Sequence, residues 1–209
     1  MKLYLFWWAE EWQAAHECKM IEAVIKSIAP TQLLHVPFAR VREASRPERK
    51  GDRFHRMINL GDIQYLNANN PNDIAKAIDP VIFISGWNEH KNLIDSITTN
   101  PKLLELILKA EHIIGESAWS KVLWTYYNSR DENNNNILLP SLNIIQNTII
   151  EGHYTQRNKA AAMQRAVQES KAQYSIGIDS CTAMIFELKE FPEKYETIGD
   201  GDIFIEKIT

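Results

Sequence analysis

The chain has only two cysteines in 209 residues, Cys18 and Cys181. Two alone supply neither a disulfide framework nor a zinc site, and they read as reduced packing residues. It also lacks any apolar run near the ~18 residues that a membrane span needs. The start, "MKLYLFWWAEEW", turns acidic where a secretory signal would continue apolar. A cytoplasmic protein with no membrane partner is the expectation. Charge of one sign is scarce as well: 23 Lys and Arg against 27 Asp and Glu give a net charge of -4. Such a balance offers no global attraction to nucleic acid or anionic lipid. No repeat of 20 to 50 residues is visible, which argues against solenoids and propellers.

What is present is enough apolar residue, 44% of the chain, for one compact domain over 1–209. At this length about 70% of the surface exposed by the unfolded chain can be buried. Short apolar runs alternate with helical stretches from end to end. That order predicts an α/β three-layer sandwich: a mostly parallel, doubly wound sheet with helices on both faces. Strands are expected at 3–6, 32–38, 63–66, 81–85, 112–115, 141–150, 174–179, 183–188 and 202–208. Helices are expected at 10–27, 72–77, 88–97, 101–110, 117–127 and 158–171, the last with Ala162, Ala166 and Val167 on one face. The last two strands have no helix between them, so the sheet should end in a C-terminal antiparallel extension.

Two segments interrupt the rhythm. Four consecutive asparagines in "SRDENNNNILLP" mark a turn or hairpin tip, because asparagine tolerates left-handed backbone. Residues 39–57 hold seven basic side chains against three acidic ones. They read as a solvated surface segment or as a site for phosphate or an acidic partner, without the aromatic interleaving that base stacking needs.

Ligands of doubly wound sheets bind beyond the carboxyl ends of the strands. Four of the six tryptophans fall there: Trp7 and Trp8 after the first strand, Trp87 after 81–85, and Trp119 after 112–115. They could be core residues, or the wall of a pocket for an apolar, aromatic or cationic group. Ser117 follows the strand 112–115 and precedes a helical pattern, so it is either a helix cap or a nucleophile on a strand-to-helix turn. As a nucleophile it needs a base, and His153, directly after the run 141–150, is the histidine placed to serve it.

"VPFAR", "VIFISGWNEHKNLI", "IIGESAWSKV", "HYTQRNK" and "IGIDSCTA" occur in the order and spacing of the dipeptidase E and cyanophycinase family of serine peptidases, and the chain resembles that family to about residue 190. The resemblance implies a fold like class I glutamine amidotransferases, with Ser117 as nucleophile and His153 as general base. It matches the amides of the Gly86–Trp87 turn and of Ala118 with oxyanion donors. Three positions compete to orient the base: Ser180, where cyanophycinase-like members carry glutamate; Asp131 or Glu132, where dipeptidase-E-like members carry aspartate; and Asp179. Arg157 and Lys159 match residues near the substrate and would hold a carboxylate, while Trp7, Trp8, Asn88 and Trp119 would line the pocket. The family carries glycine where this chain has Trp87 and Trp119, and a large side chain there narrows the backbone's choices.

The implied activity is hydrolysis of a small peptide, of aspartyl type, or a related amide, by a Ser-His-acid mechanism. No metal or other cofactor enters it. The alternative is a catalytically impaired member that binds a ligand in the same tryptophan-lined cleft. Amidotransferase chemistry is disfavoured, because it uses a cysteine at the elbow and Cys181 lies far from it in sequence. The sheet-end hairpin or the segment 39–57 would supply the interface of a homodimer.

Overall fold

A computed structural model describes residues 1–7, 14–39, 58–86, 89–130 and 136–208. Its frame is a seven-stranded sheet in the order β11-β10-β1-β5-β4-β2-β3. Here β1 is Lys2–Trp7, β2 Gln32–Val36, β3 Gln64–Asn67, β4 Val81–Ile84 and β5 His112–Glu116. These five run parallel, whereas β10 (Thr182–Glu187) pairs antiparallel with β1 and β11 (Glu196–Gly199) antiparallel with β10. The sheet is thus mostly parallel with an antiparallel C-terminal edge, as the order of apolar runs predicts.

Alternation along each strand divides the core between two faces. Leu3, Leu5 and Trp7 join Leu34, Val36, Ile82, Ile84 and Ile113 on one face. Tyr4 and Phe6 join Leu33, Val81, Phe83 and Ile114 on the other. Helix α1 (Ala14–Ile28) covers the second face with Ile21, Val24 and Ile25, one stripe at helical spacing. The first face takes α2 (Pro71–Lys76), α3 (His90–Thr98) and α4 (Pro101–Lys109) through Ile74, Leu93, Ile97, Leu103, Leu106 and Ile107. Each of these large aliphatic side chains contributes about 1.5–3 kcal/mol by burial. Asn70 and Asn100 start α2 and α4 by accepting the amides of Asn72 and Leu103, with proline at the first helical position of each.

A second, three-stranded sheet in the order β12-β9-β8 joins β8 (Thr148–Gly152), β9 (Tyr174–Ile178) and β12 (Ile203–Lys207). Ile150, Ile176 and Ile178 add to the first core, while Ile149 packs with Met163, Ala166 and Val167 of α5 (Ala160–Ser170). Hence the final run, 202–208, is antiparallel as expected but pairs with β9 and not with β10. β11 escapes the sequence pattern because its residues Glu196–Gly199 are mostly exposed, with only Ile198 partly buried.

Two other expectations are corrected. The run 141–150 is not one strand: Asn143 and Asn147 take φ of 54° and 55°, which break the extended chain and leave an isolated bridge at Ile145 before β8. In place of a helix over 117–127, a 3-10 helix Ser117–Leu123 gives way to β6 (Tyr126–Arg130). Trp124 ends the 3-10 helix in extended conformation because its fully buried indole is drawn into the core, edge-on to Phe191. β6 pairs antiparallel with β7 (Asn136–Pro140), so the asparagine run lies between the arms of a hairpin, with 131–135 outside the described residues. Among the described residues no helix is long and apolar enough to cross a membrane.

Candidate active site

β5 is buried on both sides and ends at the carboxyl edge of the sheet, where the chain turns into the 3-10 helix. Ser117 is the first residue of that helix and has φ 63°. The capping position belongs to Glu116, which makes no side-chain capping bond, so the capping account of Ser117 does not hold. A left-handed non-glycine residue costs on the order of 1–2 kcal/mol, and such strain concentrates where a side chain must be aimed.

His153 stands one residue beyond β8, also left-handed at φ 50°. Its Nδ1 is 2.6 Å from Ser180 Oγ, at the end of β9. When Nδ1 carries the proton and donates it to Ser180, Nε2 is left as an acceptor. Burial pushes the imidazole down from 6.5 to about 4, with the charges of Arg157, Lys121 and Lys159 acting the same way and Glu151 opposing. The ring is therefore neutral at pH 7 and free to accept a proton, though as a weak base.

Trp7 meets this ring edge-on, with centroids 6.3 Å apart and planes at 88°. It can do so because residue 152 is glycine: a Cβ there would fall 1.3 Å from Cε2 of the indole. Trp7 is 3% exposed and packed in the core, so it supports the imidazole from behind and does not form an open pocket wall.

A buried ion cluster joins the two halves of the site. Glu151, on β8, lies 2.9 Å from Lys121 Nζ and 3.9 Å from Lys159 Nζ, and accepts a hydrogen bond from Asn128 Nδ2. Burial alone would raise the Glu151 carboxyl, but Lys121, Asn128 and Lys159 together outweigh it and hold it below the usual range. Lys121 belongs to the 3-10 helix that begins at Ser117, and its Nζ also lies 5.9 Å from the Trp7 ring centre. The Lys121–Glu151 pair thus ties the serine's helix to the strand that carries His153.

Asp179 is engaged by groups other than the imidazole. One carboxylate oxygen accepts from both the amide and hydroxyl of Thr155, at 2.9 and 2.8 Å, and the other accepts from the Asp202 amide. It shapes the turn after His153, while Ser180 occupies Nδ1. Arg157 is exposed at the end of that turn, its amide bonded to the His153 carbonyl, and Lys159 is half-buried toward Glu151. Trp8, Trp87, Asn88, Asp131 and Glu132 lie outside the described residues, as do the side chains of Ala118 and Trp119 and most of the basic segment 39–57.

On the neighbouring strand end, the Gly86 amide donates to Glu116 Oε2 at 3.1 Å. The expected oxyanion donor at Gly86 is therefore already engaged, by a carboxylate that is 4% exposed. Just before it, Ser85 Oγ is 2.6 Å from His35 Nε2, and His35 Nδ1 is 2.6 Å from the Tyr65 hydroxyl. Glu116, Glu151 and Lys121 are absent from the residues that the sequence patterns single out. For the two glutamates the signal was legible: an acid at or next to the end of an otherwise apolar strand, as in "HIIGE" and "TIIEG", must find a partner when buried. No cluster of three or more His, Cys, Asp or Glu able to hold a metal occurs among the described residues.

No family model matches the chain, and no curated protein matches it. Among solved structures it is similar to a protein of Listeria monocytogenes EGD-e provisionally assigned as a peptidase E, known at 1.5 Å. The two share a TM-score of 0.54 and 14% identity over 100% of this chain and 98% of that one. At that identity the likeness shows the fold, which is peptidase E-like.

Proposed function

We propose that the chain is a serine hydrolase of the dipeptidase E type, acting in the cytoplasm on a small peptide or related amide. One observation carries this reading. Ser117 and His153 both sit in strained left-handed backbone just past β5 and β8, and the imidazole has one nitrogen on Ser180. The peptidase E-like fold supports the same class.

In this mechanism His153 Nε2 takes the proton of Ser117 as its Oγ attacks the substrate carbonyl carbon. The proton then passes to the leaving amine, and water repeats the sequence on the acyl-enzyme. Ser180 orients the imidazole through Nδ1. A neutral hydroxyl fixes the tautomer but stabilises the transient imidazolium less than a carboxylate would. Arg157 supplies the exposed charge for a substrate carboxylate, with Lys159 behind it, and a homodimer is the proposed assembly. A fluorophosphonate probe should label wild type and leave Ser117→Ala unmodified. Equal labelling of both proteins would exclude Ser117 as nucleophile.

A second reading, an impaired member that binds a ligand in the same cleft, is favoured by the carboxylate on the Gly86 amide. It requires that Ser117→Ala bind the ligand as tightly as wild type and that neither protein turn over a peptide library.

A further inference from the structure

β4 and β5 are adjacent parallel strands, and Ile84 stands opposite Gly115. Gly86 follows β4 by two residues and Ser117 follows β5 by one, so both stand just past the carboxyl ends of adjacent strands. A backbone amide next to a nucleophilic hydroxyl is where developing negative charge on a substrate oxygen would be received. The residue before Gly86, Ser85, is held by His35 of β2, which is held in turn by Tyr65 of β3. The Gly86 amide already has an acceptor, since Glu116 Oε2 accepts from it at 3.1 Å, and the side chain is enclosed by protein.

We propose that Glu116 is an internal occupant of the oxyanion position, an autoinhibitory side chain that must leave the Gly86 amide before Ser117 can acylate. The proposal rests on the serine hydrolase reading. A substrate oxyanion and the carboxylate compete for one donor. If Glu116 stayed in place, the oxyanion would lose that donor. Removing the side chain frees the amide. Removing one such donor in serine hydrolases costs about 10²–10³ in rate, so release of a blocked one should recover a substantial part of that factor.

The test compares second-order rate constants for fluorophosphonate labelling of wild type, Glu116→Ala, Glu116→Gln and Ser117→Ala. In the reaction Ser117 Oγ bonds to phosphorus, fluoride leaves, and the serine proton passes through His153 to solvent. Glu116→Ala is expected to label at least ~10-fold faster than wild type, and Glu116→Gln, which keeps an acceptor oxygen, by a smaller factor. The sign is diagnostic. A Glu116 that instead assisted His153 would, once removed, slow the reaction. An amide proton spectrum gives a second readout: the Gly86 resonance should move upfield in Glu116→Ala as its carboxylate partner is lost. Labelling of folded Glu116→Ala at or below the wild-type rate overturns the proposal, as does an unmoved Gly86 resonance. Labelling that persists in Ser117→Ala overturns the underlying reading instead. No labelling of any protein overturns both.

Discussion

Ser180→Asp puts a carboxylate where only a hydroxyl now meets the imidazole, and its effect can be worked from the site. His153 lies at about 4, below its ordinary 6.5, first because it is buried and then because Arg157, Lys121 and Lys159 surround it. At 1.36 kcal/mol per pH unit, and after solvent screening, this environment sets at most about 2–3 kcal/mol against the imidazolium that the proposed acyl transfer requires. A carboxylate within hydrogen-bond reach raises a histidine by about 1–3 pH units, less where solvent screens the pair. The variant's imidazole should therefore titrate between about 5 and 7. Its extra stabilisation in the transition state should speed labelling of Ser117 about tenfold at neutral pH. Two assays are needed: the His153 Cε1 proton followed by NMR across pH 3–9, and fluorophosphonate labelling over the same range. The lower inflection of the labelling profile should move up with the NMR titration. If the imidazole rises while the neutral-pH rate stays at the wild-type value, the Ser180 hydroxyl does not limit the base and the account of the site is wrong.

Two further predictions concern stability. Glu151→Gln leaves Lys121 buried opposite a neutral amide, and should cost about 3 kcal/mol in urea unfolding; Lys121→Met added to it should restore much of the loss, whereas independent effects would simply add. The pH dependence follows from the folded-state depression of His153. Between 6.5 and about 4 the unfolded chain binds a proton there that the folded chain refuses, so stability falls as pH falls through that window, by at most about 2–3 kcal/mol after screening. His153→Gln should flatten this part of the curve. The lowered Glu151 acts in the same sense below its ordinary 4.5, where its stabilising charge is lost. An unchanged slope between pH 4 and 6.5 in His153→Gln would show that the imbalance lies elsewhere.

Much of the fold was legible because buried parallel strands read as near-continuous apolar runs. "LYLF", "VIFI" and "HIIG" all became strands of the main sheet in the expected direction. Division of these strands between the seven-stranded and the three-stranded sheet was not legible. "YSIGID" and "DIFIEKI" are as apolar as their neighbours, and hydrophobic pattern alone does not specify which strand each will pair with. The helix expected after Ser117 failed for a comparable reason. Its apolar residues fit helical spacing, but the volume of Trp124 is accommodated only when the chain extends into the core at that point.

For the site, local sequence marked Ser117 and His153 as candidates, each directly after an apolar run, but not that the two runs belong to different sheets. It could not distinguish among Asp131, Glu132, Asp179 and Ser180, because adjacent residues on a strand end point to opposite sides. Tertiary structure turned Asp179 toward Thr155 and Ser180 toward the imidazole. It also turned Glu116 onto the Gly86 amide and closed Glu151 over Lys121. Composition and periodicity determine where the chain is buried, because burial scales with apolar area and needs no partner identity. Which charge meets which donor is decided over a few ångströms between residues as far apart as 86 and 116, and only the folded chain brings them to that distance.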